Sequence, residues 1–242
     1  MKLQTFQILA ILAILPFLTE GCIIVANGKT VRGSGSVVTE EREVSEFDKV
    51  HLKGSGNVFL NRGETQSLTI KTDDNIMPYI ESDVSGKKLT VSHGKHHLRP
   101  TVFEVFITVK HLEGVAISGS GDIRGEDRFL ANNFYAEISG SGDLDLEVEA
   151  GILASKISGS GSIHLSGKAN DFSVSISGSG DINAFDVQAN NVSVKISGSG
   201  KCKVTATESL EAKISGSGDV YYRGRPKINT KMSGSGSLIS ED

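Results

Sequence analysis

The chain has 242 residues, with 28 Gly, 4 Pro, 2 Cys, no Trp and a formal net charge of −4. That charge excludes a binder held to nucleic acid by a basic excess, and two cysteines exclude a disulfide-dense scaffold. Abundant Gly with scarce Pro excludes collagen and disordered linker, and points to an ordered, repetitive chain of one or two domains.

Residues 1–7 carry one cation, Lys2, and an apolar stretch comes next over residues 8–18, broken only by Pro16. It is too short to span a bilayer and matches the h-region of a signal peptide, here residues 1–21. The run Leu18-Thr19-Glu20-Gly21-Cys22 resembles the lipobox of bacterial lipoproteins, with Leu18 one place early. Acylation of Cys22 would anchor the chain stably, at about 0.8 kcal/mol per buried CH₂. Cleavage after Ala26 is the competing reading. Either way the mature chain is expected to be extracytoplasmic, and a lipidated one to sit at the outer membrane, on its periplasmic or surface side.

Residues 22–37 read as a tether, and residues 38–111 as a β-rich cap containing the first rungs. Within residues 31–60 two related units place Val37 and Val58 just after Gly-Ser-Gly triplets. Residues 73–80 suggest a short helix with Asp73 or Asp74 at its N-cap and Ile76, Tyr79 and Ile80 apolar. Residues 88–91 and 102–109 read as strands around a polar loop, expected to cover one end of the repeat region.

Over residues 112–242 the repeat dominates. Gly-Ser-Gly occurs nine times in the chain, from Gly119 onward at spacings of 18 to 21 residues. Aligned units show three apolar columns: Ile117, Ile138, Ile157, Ile176, Ile196, Ile214 and Met232 before the motif; Phe134, Leu153, Phe172, Val192, Leu210 and Ile228 four places earlier; Ile123, Leu144, Ile163, Ile182, Cys202, Val220 and Leu238 after it. Alternation at period two marks strands with one buried face. Ala131-Asn132-Asn133, Ala169-Asn170-Asp171 and Ala189-Asn190-Asn191 read as turns. Like strands recurring every 19 or so residues without helices stack in parallel, so the expected fold is all-β: a β-solenoid (parallel β-helix), right-handed by the usual crossover rule. The triplet admits two structural readings, inward glycines on a strand that runs straight through, or a corner of positive φ. Alternation in phase on both sides favours the first.

Phe47-Asp48-Lys49-Val50, Gly54 to Asn57, Asp73-Asp74-Asn75-Ile76 and the serial Ile-Ser-Gly-Ser-Gly-Asp-Ile units together resemble the head GIN domain family of auto-transporter adhesins, over about residues 40–235. The resemblance implies a β-helical fold and an envelope lipoprotein. It brings no ligand and no catalytic residue. With Ser240-Glu241-Asp242 following the repeats, the chain is expected to depart from a true auto-transporter in lacking room for a membrane barrel.

Four features invite chemistry. Asp122, Asp143, Asp181 and Asp219 fall in one column, a Ca²⁺ ladder interrupted by Ser162, Lys201 and Ser237, so that a solvated polar ladder is the plainer reading. His93, His96 and His97 carry metal-ligating side chains, beside Lys95 and Arg99, which oppose a cation; an exposed hairpin loop is the plainer reading. Cys202 sits in an apolar column as a small hydrophobe. Lys195, Lys213 and Lys231 occupy equivalent places in three successive units, with Lys156 two units earlier, a stripe that suits an acidic polysaccharide or phosphate-bearing surface component, or is simply a solvated face. No dinucleotide fingerprint and no nucleophile elbow occurs. A non-catalytic binding or adhesion lipoprotein without a cofactor is therefore expected. A structural envelope protein, or a polysaccharide-acting enzyme using a pair such as Asp143 and Asp145, are the alternatives.

Overall fold

The structure is a computed structural model describing residues 30–241; the leader segment and Cys22 lie outside the described residues. The strands in chain order are β1 (Thr30–Arg32), β2 (Val37–Glu41), β3 (Lys49–Gly54), β4 (Asn57–Arg62), β5 (Ser67–Asp73), β6 (Glu81–Ser85), β7 (Lys88–Ser92), β8 (His97–Arg99) and β9 (Phe103–Val109). They continue with β10 (Gly114–Gly119), β11 (Asp122–Gly140), β12 (Asp143–Gly159), β13 (Ser162–Gly178), β14 (Asp181–Gly198), β15 (Lys201–Gly216), β16 (Asp219–Arg223), β17 (Lys227–Gly234) and β18 (Leu238–Ser240). The protein is a parallel β-solenoid of about 7 turns with ~19-residue rungs.

Branched side chains at alternate positions share one face of a pleated strand, and that face becomes the solenoid interior. The three apolar columns pair in register as the alternation requires: Ile138 with Ile157, Phe134 with Leu153, Leu144 with Ile163, and so on through the rungs. In β17, paired with β15, the column members Ile228 and Met232 are 46% and 43% exposed and so are not buried as expected. Ile123, Ile157, Phe172 and Ile196 are at most 2% exposed. One polar side chain, Ser155, stands among them, paired between Ala136 and Val174 with its hydroxyl buried and without a hydrogen-bond partner.

The Asn-containing segments bend the rung within extended backbone: two successive residues are exposed at Asn170–Asp171 and at Asn190–Asn191, and at the equivalent place in the last rung β16 ends at Arg223 and β17 begins at Lys227. Through Ala131-Asn132-Asn133 the chain stays extended, and the ladder merely skips one residue, from Ala131 with Ala150 to Asn133 with Ile152. Asn is not used for left-handed geometry: among the described residues Lys87 alone of the non-glycines has a positive φ. The Asn side chains instead bond from rung to rung, Asn191 Nδ2 donating to Asp171 Oδ1 at 3.1 Å and Ser209 Oγ donating to Asn191 Oδ1 at 2.7 Å.

The strands break at Gly-Ser-Gly, between Gly140 and Asp143 and likewise in later rungs, which corrects the straight-through reading. The first glycine turns the corner with φ between +118° at Gly54 and +139° at Gly140, where an L side chain is strained. The second points inward. A Cβ on Gly200 would lie 2.3 Å from Gly180 O and 2.7 Å from Ile176 Cγ2, one rung back.

At the N-terminal end, parallel pairing gives way to antiparallel pairing. Strand β3 lies between β7 and β10, and β4 between β9 and β11; β5 runs antiparallel to both β9 and β2, and β6 antiparallel to β7. Val58 joins the column after the motif, pairing with Ile123 and Val105. Val37 does not: it opposes Asp73 in the antiparallel β2–β5 pair and is 41% exposed.

The expected helix is only a 3₁₀ turn over Met77–Tyr79, without a side-chain cap. Asp73 is not its N-cap. It ends β5, fully buried, and its carboxylate accepts the amides of Gly35 (2.8 Å) and Thr101 (2.7 Å) and the Thr101 hydroxyl (2.7 Å). Burial favours the neutral acid, but these donors outweigh it and hold the carboxyl below the ordinary carboxylate value. So the first triplet, Gly33-Ser34-Gly35, is no rung corner; it wraps an acidic loop in which Asn75 Oδ1 also accepts the Ser34 amide.

Candidate binding surfaces

The face before the corner carries the lysine column. Lys195 pairs with Lys213 and Lys213 with Lys231 across β14, β15 and β17, and Ser175 separates Lys195 from Lys156. Rungs lie about 4.8 Å apart, so three ammonium groups are brought close on exposed positions. Lys213 Nζ meets Glu211 at 2.7 Å and Lys156 meets Glu137 at 2.8 Å. Exposed pairs of this kind hold weakly. Lys195 and Lys231 have no hydrogen-bond or ion-pair partner among the described residues.

The aspartate column, on the face after the corner, has a structural use. Asp122, Asp181 and Asp219 each accept, through Oδ1, the first amide of the next rung, from Asp143 (3.0 Å), Lys201 (2.9 Å) and Ser237 (3.0 Å). The carboxylates satisfy backbone donors that the corner would otherwise leave unpaired.

The three histidines do not converge. His96 packs against the Tyr79 ring at 4.7 Å, and His97 lies in β8, which pairs in parallel with β1, so their segment is no hairpin loop. His93 turns beside Gly54, where its imidazole fills the space a Cβ would need and its Nδ1 is buried without a partner. His93 and His97 share a cavity of about 500 Å³ with Arg99 and Ser55. Among the described residues no group of three or more His, Cys, Asp or Glu is arranged to hold a metal ion. Cys202 is buried in its apolar column, and burial pushes its thiol far up, which suppresses the thiolate a nucleophile requires.

A concave surface lies on the same face as the aspartates. A groove of about 790 Å³ crosses the rungs from β4 to β15. One wall is the column Asn57, Asp122, Asp143, Ser162, Asp181 and Lys201; the other, two residues further along each strand, is Phe59, Arg124, Asp145, His164, Asn183 and Lys203. Beyond its β4 end, Phe59 stacks on Phe106 with centroids 5.2 Å apart and planes 15° from parallel, and Phe106 is 37% exposed. At its β15 end Lys203 and Arg223 lie over the Phe185 ring, at 5.7 and 4.1 Å. Asp145 faces Arg124 at 3.7 Å.

Sequence reasoning missed this groove, although its aromatic pair left a trace. Phe59 stands between inward Val58 and Leu60, and Phe106 between inward Val105 and Ile107, so strict alternation turns both rings outward. An outward Phe in a strand is the signal; that two such strands are neighbours is not in the sequence.

A family model described as "Putative auto-transporter adhesin, head GIN domain" matches residues 46–226. Crystal structures of similar chains exist. A putative adhesin from Bacteroides fragilis is 28% identical with a TM-score of 0.83, the alignment covering 87% of this chain and 99% of that one. A putative lipid binding protein from Parabacteroides distasonis is 27% identical (TM-score 0.76; 88% and 100% covered), and a putative adhesin from Parabacteroides merdae 26% identical (TM-score 0.73; 89% and 100% covered). A search of curated proteins finds no match to this chain.

Proposed function

The chain belongs to the head GIN domain family of auto-transporter adhesins, and from that premise we propose that it is a non-catalytic adhesion-type binding protein of the bacterial envelope, tethered through acylated Cys22, that holds an acidic polymer on its lysine column. Membership of an adhesin family, with adhesins among the relatives of known structure, supports a binding role at the envelope or outside the cell. The observation that carries the ligand class is the in-register run of Lys195, Lys213 and Lys231, two of them unpaired among the described residues. A polymer with regularly spaced carboxylates or phosphates meets such a row at several points at once, and each contact adds to avidity.

Titration of the purified chain with heparin, as an acidic polysaccharide probe, tests this. Binding is expected at low salt, weakening as salt rises, and lost on combined substitution of Lys195, Lys213 and Lys231 by Gln. Binding unchanged by the triple substitution, or absent at low salt, would overturn the ligand class. Incorporation of labelled fatty acid into the chain, abolished by Cys22→Ala, tests the tether.

One observation favours a purely structural envelope role: the recurring Asp and Asn side chains are engaged in rung-to-rung bonds and serve the fold itself. Envelope defects on deletion, together with no polymer binding, would favour that reading.

A further inference from the structure

We infer that the groove on the face after the corner is a second binding site, and that its ligand is a neutral linear polysaccharide whose chain crosses the rungs and ends on the Phe59–Phe106 pair. The inference does not rest on the lysine column, which lies before the corner.

Shape comes first. The groove crosses six strands, from β4 to β15, so at a rung spacing of about 4.8 Å it is roughly 24 Å long. That accommodates several sugar units in a row, and the rung spacing approximates the length of one. A concave site with a few converging polar groups is the usual form of a ligand site.

Charge comes second. Along the groove, the carboxylates of Asp122, Asp143, Asp145 and Asp181 lie on β11, β12 and β14 with Arg124 among them, and Lys201 and Lys203 close the β15 end, so the signs nearly cancel over the whole groove. A polyanion would meet the carboxylates and a polycation the lysines. Neither is attracted along the whole length, whereas an uncharged chain is not repelled anywhere.

Hydrogen-bonding capacity comes third. Asp122 and Asp181 are occupied with backbone amides, and Asp145 with Arg124. The side chains of Asp143, Ser162, His164 and Asn183, on three consecutive rungs, have no partner among the described residues. Together they offer an anionic acceptor and groups that both donate and accept, which suits hydroxyls, since a hydroxyl also does both. Hydrogen bonds to the ionised Asp143 would be the stronger ones.

The aromatic pair completes the set. Phe106 is 37% exposed beside the groove and stacks on Phe59, which lines the groove's β4 end. An aromatic face left in water gains by covering the C–H face of a pyranose, and position in the stack gives the chain a defined end.

The test is calorimetric titration of the full chain with cellohexaose, laminarihexaose, mannohexaose and xylohexaose. Saturable binding of at least one is expected, insensitive to salt and to the combined Lys195, Lys213 and Lys231 substitutions by Gln. Phe106→Ala and Asn183→Ala, each at an exposed position, are expected to weaken it by about tenfold, equivalent to 1.4 kcal/mol. No binding by any of the four, or binding indifferent to both Phe106→Ala and Asn183→Ala, would overturn the inference. Binding that fades with salt and with the lysine substitutions would move the sugar to the other face and overturn it equally.

Discussion

Two glycines of one triplet do different work, and substitution separates them. Gly198 has φ +129°, and an added Cβ would lie 2.2 Å from Gly178 O, which already accepts the Ser199 amide at 2.9 Å. Ala there suffers backbone strain of about 1–3 kcal/mol, overpacking of about 1–3 kcal/mol against a carbonyl that cannot rotate away, and damage to that hydrogen bond of about 1 kcal/mol. The total is about 3–7 kcal/mol. Gly200 has no positive φ, so Gly200→Ala carries the clash alone, about 1–3 kcal/mol. Gly86, with φ +57° and nothing within 4 Å of an added Cβ, carries only the left-handed penalty, about 1–2 kcal/mol. For a chain of this size about 2–4 °C of Tm accompanies each kcal/mol. Gly198→Ala is therefore expected to lower Tm by about 6–28 °C, Gly200→Ala by about 2–12 °C and Gly86→Ala by about 2–8 °C. Scanning calorimetry with urea titration by far-UV circular dichroism reads all three. Gly198→Ala no more damaging than Gly86→Ala would refute the argument that corner geometry and rung contact act together.

Ile196→Asp places a carboxylate at a position 1% exposed, between Ile176 and Ile214, and is expected to cost about 3–5 kcal/mol. Ser197→Asp, on the outward neighbour, should stay within about 0.5 kcal/mol in the same urea titration; equal effects would reverse the assignment of faces. Asp73 has its carboxyl held below the ordinary 3.8, so it contributes stability above that pH, lost as pH falls through the lower folded value. Asp73→Asn is expected to lower stability at pH 7 and to flatten its decline below pH 3.8, and an unchanged acid profile would contradict the reading. Ser155→Ala removes a buried hydroxyl with no partner and should raise stability by about 1 kcal/mol; a loss in thermal unfolding would show the hydroxyl to be satisfied.

The repeat and the facing of its side chains were determined by the sequence alone. Period-two alternation survives whatever lies opposite, because each residue's side is set by the pleat of its own strand. A unit of 19 or so residues without helices can bury its apolar columns only on a copy of itself, which dictates the solenoid, its register and the column ending in Leu238. The lysine column was legible for the same reason. Tertiary structure alone decided what each side chain meets. Positive φ at the first glycine arises from the turn between rungs, and the second glycine's need for no side chain from a carbonyl one rung back. Asn132, Asn170 and Asn190 carry turn propensity and the rung does bend there, yet inter-rung pairing keeps the backbone extended through the bend. Asp73 looks like a helix cap until Gly35 and Thr101, 38 and 28 residues away, supply its donors. Phe59 and Phe106 become a stacked pair only because β9 lies beside β4. Alternation reports a direction, whereas a contact requires two strands to be neighbours, and that neighbourhood belongs to the fold.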